Sequence, residues 1–195
     1  MKLILASTSR IRGELLAKAG ITFDTMAPDV DETELKRQSP GLSPGDLAQK
    51  LAAAKAVSVT NRYPGALVIG ADQVLNLAGR AFDKPDSIET AGLQLTDLRG
   101  RRHVLETALC CARDGKVVWQ HLGQADLTMR DFSEQFLADY LREVGPDVMT
   151  SVGGYKLEGR GAQLFDRIDG DYFTILGLPL LPLLDFLRRQ GVLPV

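Results

Sequence analysis

The sequence predicts an α/β fold built on a long mixed sheet flanked by helices. Three observations carry this. Short apolar runs alternate with helical patterns through the first half of the chain, the rhythm of strand–helix units. The middle then runs two long apolar segments across an Asp114-Gly115 turn, which reads as antiparallel pairing. The apolar close, ILGLPLLPLLDFL, is broken by two prolines and followed by Arg188 and Arg189, so it reads as a core helix and not as a membrane span.

Taken in order, Lys2 to Ala6 has the length and composition of a short buried strand. Ile11, Leu15, Leu16 and Ala19 recur at helical spacing, with Gly20 as the stop. A second strand is expected near Phe23 to Ala27, ending in the acidic loop APDVDETE. SPGDLAQKLAAAKAVSVT predicts a helix with Ser43 as N-cap, Pro44 at its first position and Leu47, Leu51, Ala54 and Val57 along one face. ALVIGADQVLNL reads as a buried strand, and SIETAGLQLTDLRG as a short helix stopped by Gly100. HVLETALCCAR and KVVWQHLGQADLTMR are the two hairpin strands. SEQFLADYLREV is an amphipathic helix capped by Ser133. GGYKLEGRGAQLFDRIDGDY is glycine-rich with short strand-like pieces, and LPLLPLLDFLRRQG is the closing helix.

At 195 residues with 45% hydrophobic and 25% charged residues, the chain fits one domain or two small lobes. A formal net charge of −2 leaves no electrostatic footprint for polymeric nucleic acid or an anionic membrane. The scarcity of aromatics disfavours an RNA-binding module as well. Cys110 and Cys111 are neighbours on one strand and point to opposite faces, so they are packing residues and not a disulfide. With no signal-peptide core, they place the protein in the cytoplasm.

Several residues can carry chemistry. Ser7, Thr8 and Ser9 occupy the first strand-to-helix turn, where free backbone N–H groups and the helix dipole favour an anion, and Arg12 stands one turn in. The competing reading is a plain cap at Ser9 with solvent-facing arginines. Asp72 follows the apolar run VIGA, at a strand end of the kind where α/β sheets form ligand crevices, and Gly70 before it permits close backbone approach. Lys84, fixed in an extended FDKP segment, and Lys55, on a helix, suit phosphate as point charges or stand as ordinary solvent-facing lysines. Asp29, Asp31 and Glu32 form a carboxylate group that suits a magnesium–phosphate ligand or merely a solvated loop. His103 and His121 have no metal-ligand spacing, and no Walker, GxSxG or Cys–His arrangement is present.

The blocks LILASTSRIRGELL, PDVDE, LAAAKA, VIGADQV, DKP, LRGRRHVLET, YKLEGRGAQLF and GLPL lie in order along nearly the whole chain. Together they resemble the Maf family of nucleoside triphosphate pyrophosphatases. The resemblance implies a single domain over 1–195: a curved mixed sheet whose two lobes enclose a nucleotide cleft. It implies that Ser7, Ser9 and Arg12 hold phosphates and that Lys55 and Lys84 add charge. Asp72 matches the proton acceptor that activates water for attack on the α-phosphorus. Glu32 matches an acidic residue which, with Asp72, assists a divalent metal, Mg2+ or Mn2+. Homodimers are common in the family.

Three positions separate its subgroups, matching Ile11, Gln73 and Glu158. Gln73 and Glu158 are similar to the subgroup that prefers 7-methyl-GTP. The dTTP/UTP subgroup carries threonine and glutamine there, and Ile11 departs from both. Two alternatives follow: a dTTP/UTP pyrophosphatase, or a nucleotide-binding regulator of cell division without turnover.

Overall fold

The computed structural model describes residues 2–194. The first strand, β1 (Leu3–Ala6), is buried along its whole length and leads through Ser7–Ser9 into helix α1 (Arg10–Lys18). Gly20, at φ +75°, ends α1: its N–H reaches the Ala17 carbonyl and Ile21 N–H reaches that of Leu16, the pairing of a left-handed glycine stop. Strand β2 (Asp24–Met26) is shorter than its apolar context suggested. The expected acidic loop is only partly a loop. Glu32 opens a short helix, α2 (Glu32–Arg37), because Asp31 accepts from Glu34 N–H and acts as its N-cap.

Helix α3 (Pro44–Thr60) begins as the sequence indicates, with Ser43 accepting from Asp46 N–H and proline at its start. It lies across β3 (Leu67–Leu77). The contact is close because Gly70 has no side chain: a Cβ there would sit 2.2 Å from the Ala52 carbonyl oxygen and 2.7 Å from Ala56 N. Gly70→Ala must therefore push α3 off the sheet, and should destabilise the fold by about 1–3 kcal/mol or more. A shift in urea midpoint measures this; an unshifted midpoint would show the approach to be looser.

Strand β4 (Arg80–Phe82) is one that the sequence pattern does not predict; it ends where the extended FDKP segment begins. Helix α4 (Ile88–Leu98), capped by Ser87, precedes the hairpin of β5 (Arg102–Arg113) and β6 (Lys116–Met129). The hairpin turn places both Asp114 (φ +48°) and Gly115 (φ +76°) in the left-handed region, the geometry that such two-residue turns need. Helix α5 (Glu134–Val144) follows, capped by Ser133. A 3-10 turn over 145–150 leads to the glycine-rich segment, which folds as further 3-10 turns (152–154, 160–164), then β7 (Phe165–Asp169) and the start of a short helix, α6 (Tyr172–Ile175). Helix α7 (Leu180–Arg189) is the last element.

The seven-stranded sheet runs β2-β1-β3-β5-β6-β7, with β4 also on β3. Pairing is parallel among β2, β1 and β3 and antiparallel elsewhere, so the mixed sheet is as expected. At one end of the sheet, α1 and α7 cover one face around Leu5, Ile69, Leu109 and Leu183. There α3 covers the other face around Ile4, Val68, Ala108 and Cys110. Towards the other end, α4, α5 and the 3-10 turns enclose a second core around Leu75, Leu95, Leu105 and Tyr140. Cys110 and Cys111 are both free and buried, on opposite faces.

Candidate active site

The site lies in a gap in the sheet. Along one edge of β3, β1 pairs with Leu67–Gly70 and β4 pairs with Leu75–Leu77. Between them, residues 71–74 have no strand neighbour on that edge among the described residues. A bare strand edge demands partners for its carbonyls. Arg12 supplies one: its Nη1 donates to the Ala71 carbonyl at 2.8 Å, while Nε donates to the Gly177 carbonyl at 2.8 Å. Two donors of the guanidinium thus hold the rim. Burial pulls the Arg12 guanidinium below its ordinary value, against the opposing pull of Asp72 and Glu32.

Ser7 and Ser9 stand where β1 ends beside this gap. The Ser7 hydroxyl accepts from Ser9 N–H at 3.1 Å and so shapes the turn. Ser9 occupies the N-cap position of α1 but makes no side-chain cap bond. The plain-cap reading of Ser9 is therefore corrected: first-turn N–H groups of α1 remain open to an acceptor, at the positive end of the helix dipole.

On the α3 face of the gap the charged residues converge. Lys55 Nζ donates to Asp72 Oδ1 at 2.5 Å and pairs with Glu32 Oε1 at 2.9 Å. Lys55 and Asp72 are both buried, whereas Glu32 reaches in from the first turn of α2 and is half-buried. Burial raises the Asp72 carboxyl above its ordinary value. Lys55 and Arg12 oppose this, and the negative charge of Glu32 adds to it. Partial burial, then the charges of Arg12 and Lys55, lower the Lys84 ammonium. Sequence positions 12, 32, 55, 72 and 84 thus share one electrostatic neighbourhood. Lys36 pairs with Asp83 and ties α2 to the segment that carries Lys84. Of the acidic trio, only Glu32 turns inward; Asp31 serves as a helix cap and Asp29 is exposed.

The three subgroup positions separate. Gln73 points to the opposite sheet face, where its Nε2 donates to Thr107 Oγ1 (2.8 Å) and to the carbonyls of Thr174 (3.0 Å) and Ile175 (3.1 Å). Those carbonyls only accept, so the amide orientation is set, with Nε2 as the end turned to them. Glu158 is exposed on a turn lining a cavity of about 410 Å3, together with Arg10, Tyr140, Asp147, Tyr155 and Arg160. Arg10 is the first residue of α1, so the cavity reaches from the start of α1 to the glycine-rich segment. Ile11 does not join them: it packs against the apolar core of α1 and α7. Sequence reading missed Arg10, Thr107 and Thr174. An exposed arginine, a strand threonine and the backbone carbonyl of a threonine in α6 carry no pattern of their own.

A divalent cation has two carboxylates available here. No group of three or more His, Cys, Asp or Glu side chains among the described residues is placed to hold a metal. Glu32 and Asp72 nonetheless converge on one ammonium, each binding it through a single oxygen. That donor set fits a hard cation that takes its other ligands from phosphate and water.

The family model for Maf-like protein matches residues 2–190. A 7-methyl-GTP pyrophosphatase of Brucella abortus biovar 1 is 50% identical over 192 residues, covering 97% of this chain and 96% of the relative. A nucleoside triphosphate pyrophosphatase of Hyphomonas neptunium shows the same identity and coverage. A 7-methyl-GTP pyrophosphatase of Rhizobium etli is 47% identical over 194 residues, covering 98% of each chain. No helix among the described residues is long and apolar enough to cross a membrane. With a family model spanning almost its whole length, and a sheet gap that gathers the residues its motifs marked, this chain belongs to the Maf family.

Proposed function

We propose that the chain is a nucleoside triphosphate pyrophosphatase, a hydrolase of nucleotide phosphoanhydrides, with 7-methyl-GTP as preferred substrate. The observation that carries the reading is the buried Lys55–Asp72 pair at 2.5 Å, set in a sheet gap beside the open N-terminus of α1. The triphosphate lies along that helix end, between Ser7, Ser9, Arg12 and Lys84, where cations and backbone donors meet its charge. Lys55 occupies Asp72 Oδ1, so Oδ2 is the oxygen that takes a proton from water. The water oxygen bonds the α-phosphorus as the bond to the bridging oxygen breaks, releasing nucleoside monophosphate and pyrophosphate. A divalent cation, Mg2+ or Mn2+, would be held at Glu32 beside Asp72 and would supply further neutralisation of phosphate charge.

Base preference rests on Glu158 and Gln73. Guanine offers two adjacent donors, N1–H and the N2 amine, which one carboxylate accepts together. Methylation at N7 makes the ring cationic and adds charge attraction. Uracil and thymine would turn carbonyl oxygens toward the same carboxylate. The amide of Gln73, with Nε2 committed to two carbonyls, keeps Oε1 as an acceptor, which again suits a donor-bearing base. The names of two relatives, from Brucella and Rhizobium, support the same choice.

Pyrophosphate release from a nucleotide panel with Mg2+ or Mn2+ tests this. The expected order is 7-methyl-GTP above dTTP and UTP. Efficient cleavage of dTTP and UTP with none of 7-methyl-GTP would overturn the preference, and no release from any nucleotide would favour a binding regulator. Glu158→Gln should narrow the preference by about tenfold or more, the worth of a charge-assisted pair to a base edge. An unchanged ratio of kcat/KM values would remove Glu158 from recognition.

A further inference from the structure

The second core holds an imidazole that the reaction does not use. His103, on β5, is 1% exposed, and its Nε2 lies 2.7 Å from the Tyr155 hydroxyl. Its Nδ1 has no hydrogen-bond partner among the described residues. Burial lowers the His103 pKa to about 4, so the ring is neutral under ordinary conditions. A buried polar ring with one unmatched nitrogen is a costly way to fill apolar space. A phenylalanine or leucine would fill it more cheaply, which directs attention to what the remaining bond holds.

Tyr155 is itself buried and packs edge-on against Phe165, with ring centroids 4.8 Å apart. Its backbone is clamped from the other side. The Ser151 hydroxyl donates to the Tyr155 carbonyl at 2.7 Å, and the Tyr140 hydroxyl donates to the Gly154 carbonyl at 3.0 Å. Directly after Tyr155 the chain closes a tight turn: Gly159 N–H reaches the Lys156 carbonyl at 3.3 Å. A Cβ at Gly161 would sit 2.4 Å from that same carbonyl oxygen. Lys156–Asp147 and Arg160–Glu143 ion pairs brace the turn at both ends. The turn therefore moves as a unit, and Tyr155 is its buried root. Tyr155, Lys156, Glu158 and Gly161 all line the cavity shared with Arg10.

We propose that His103 is a positioning residue for the nucleotide site: through Tyr155 it sets the depth of the 156–161 turn, the base-side wall of the cavity. This rests on reading the cavity as the base site. Releasing the bond lets the wall shift without touching Asp72, Lys55 or Arg12, so binding suffers and chemistry does not.

The test uses the full chain as His103→Phe, Tyr155→Phe and His103→Gln, assayed with 7-methyl-GTP and with inorganic tripolyphosphate as competitor. Either phenylalanine variant should raise KM about three- to tenfold, the worth of one buried hydrogen bond, with kcat within about twofold. Tripolyphosphate inhibition should not change, because the phosphate end is untouched. His103→Gln, which places an amide near the lost Nε2, should recover much of the KM. An unchanged KM in a folded variant, or an equal loss of tripolyphosphate binding, would overturn the proposal. Should His103→Phe fail to fold, Tyr155→Phe makes the same measurement with the imidazole in place. If Glu158→Gln leaves base preference alone while these variants raise KM, the assignment of Glu158 falls and the positioning role stands. If Glu158→Gln alters preference while KM here is unmoved, only the positioning role falls.

Discussion

Asp72→Asn is expected to lower kcat by about a hundredfold to ten-thousandfold while leaving the fold and nucleotide affinity largely intact. The amide keeps the size of the side chain and still offers Lys55 an acceptor, and Glu32 continues to pair that ammonium. What it loses is a site for the proton from water. The wild-type pH profile should carry the same signature. Burial, the largest influence on Asp72, raises its carboxyl above the ordinary range despite Lys55 and Arg12. A base acts only when ionised, so kcat/KM should fall as pH drops through that raised value, above the usual carboxylate pKa of 3.8. The residual activity of Asp72→Asn should lack this limb. Near-normal turnover in a folded variant would remove the proposed role.

Arg12→Ala should weaken triphosphate binding by about tenfold to a hundredfold, and binding of the monophosphate far less. The guanidinium holds the rim through Nε and Nη1, and in the proposed reading its remaining donors meet the phosphate tail. Removing it also strips partners from the Ala71 and Gly177 carbonyls, so a moderate fall in Tm should accompany the lost affinity. Arg12→Lys separates the two effects. Lysine restores a charge, but its single ammonium cannot reproduce the planar fork that spans both carbonyls. Competition binding with tripolyphosphate and with the monophosphate product, alongside thermal melts, measures both. Equal losses for the two ligands would make Arg12 a structural brace alone.

Much of the architecture was legible because it depends on local pattern. The caps at Ser43 and Ser133, the stop at Gly20 and the turn at Asp114-Gly115 each solve a local backbone problem, and the residues that solve it are adjacent in sequence. The glycine-rich segment was read poorly, since its 3-10 turns have no apolar period and are held by contacts from elsewhere. Tyr140 on Gly154 and His103 on Tyr155 are such contacts. The acidic segment misled for a related reason: Asp31 works as a cap, which left Glu32 alone to reach the site.

The sequence by itself determined the α/β class and the family, since ordered motifs along one chain encode chemistry as residue types. Only the tertiary structure decided which of the marked residues meet. A strand edge left bare between β1 and β4 brings Arg12, Lys55, Asp72 and Lys84 together. Neighbours on β3 point to opposite faces, so Asp72 meets Lys55 while Gln73 meets Thr107 and α6. Burial then sets the charge state of Asp72, and burial is a property of what packs around a residue, which no local pattern records.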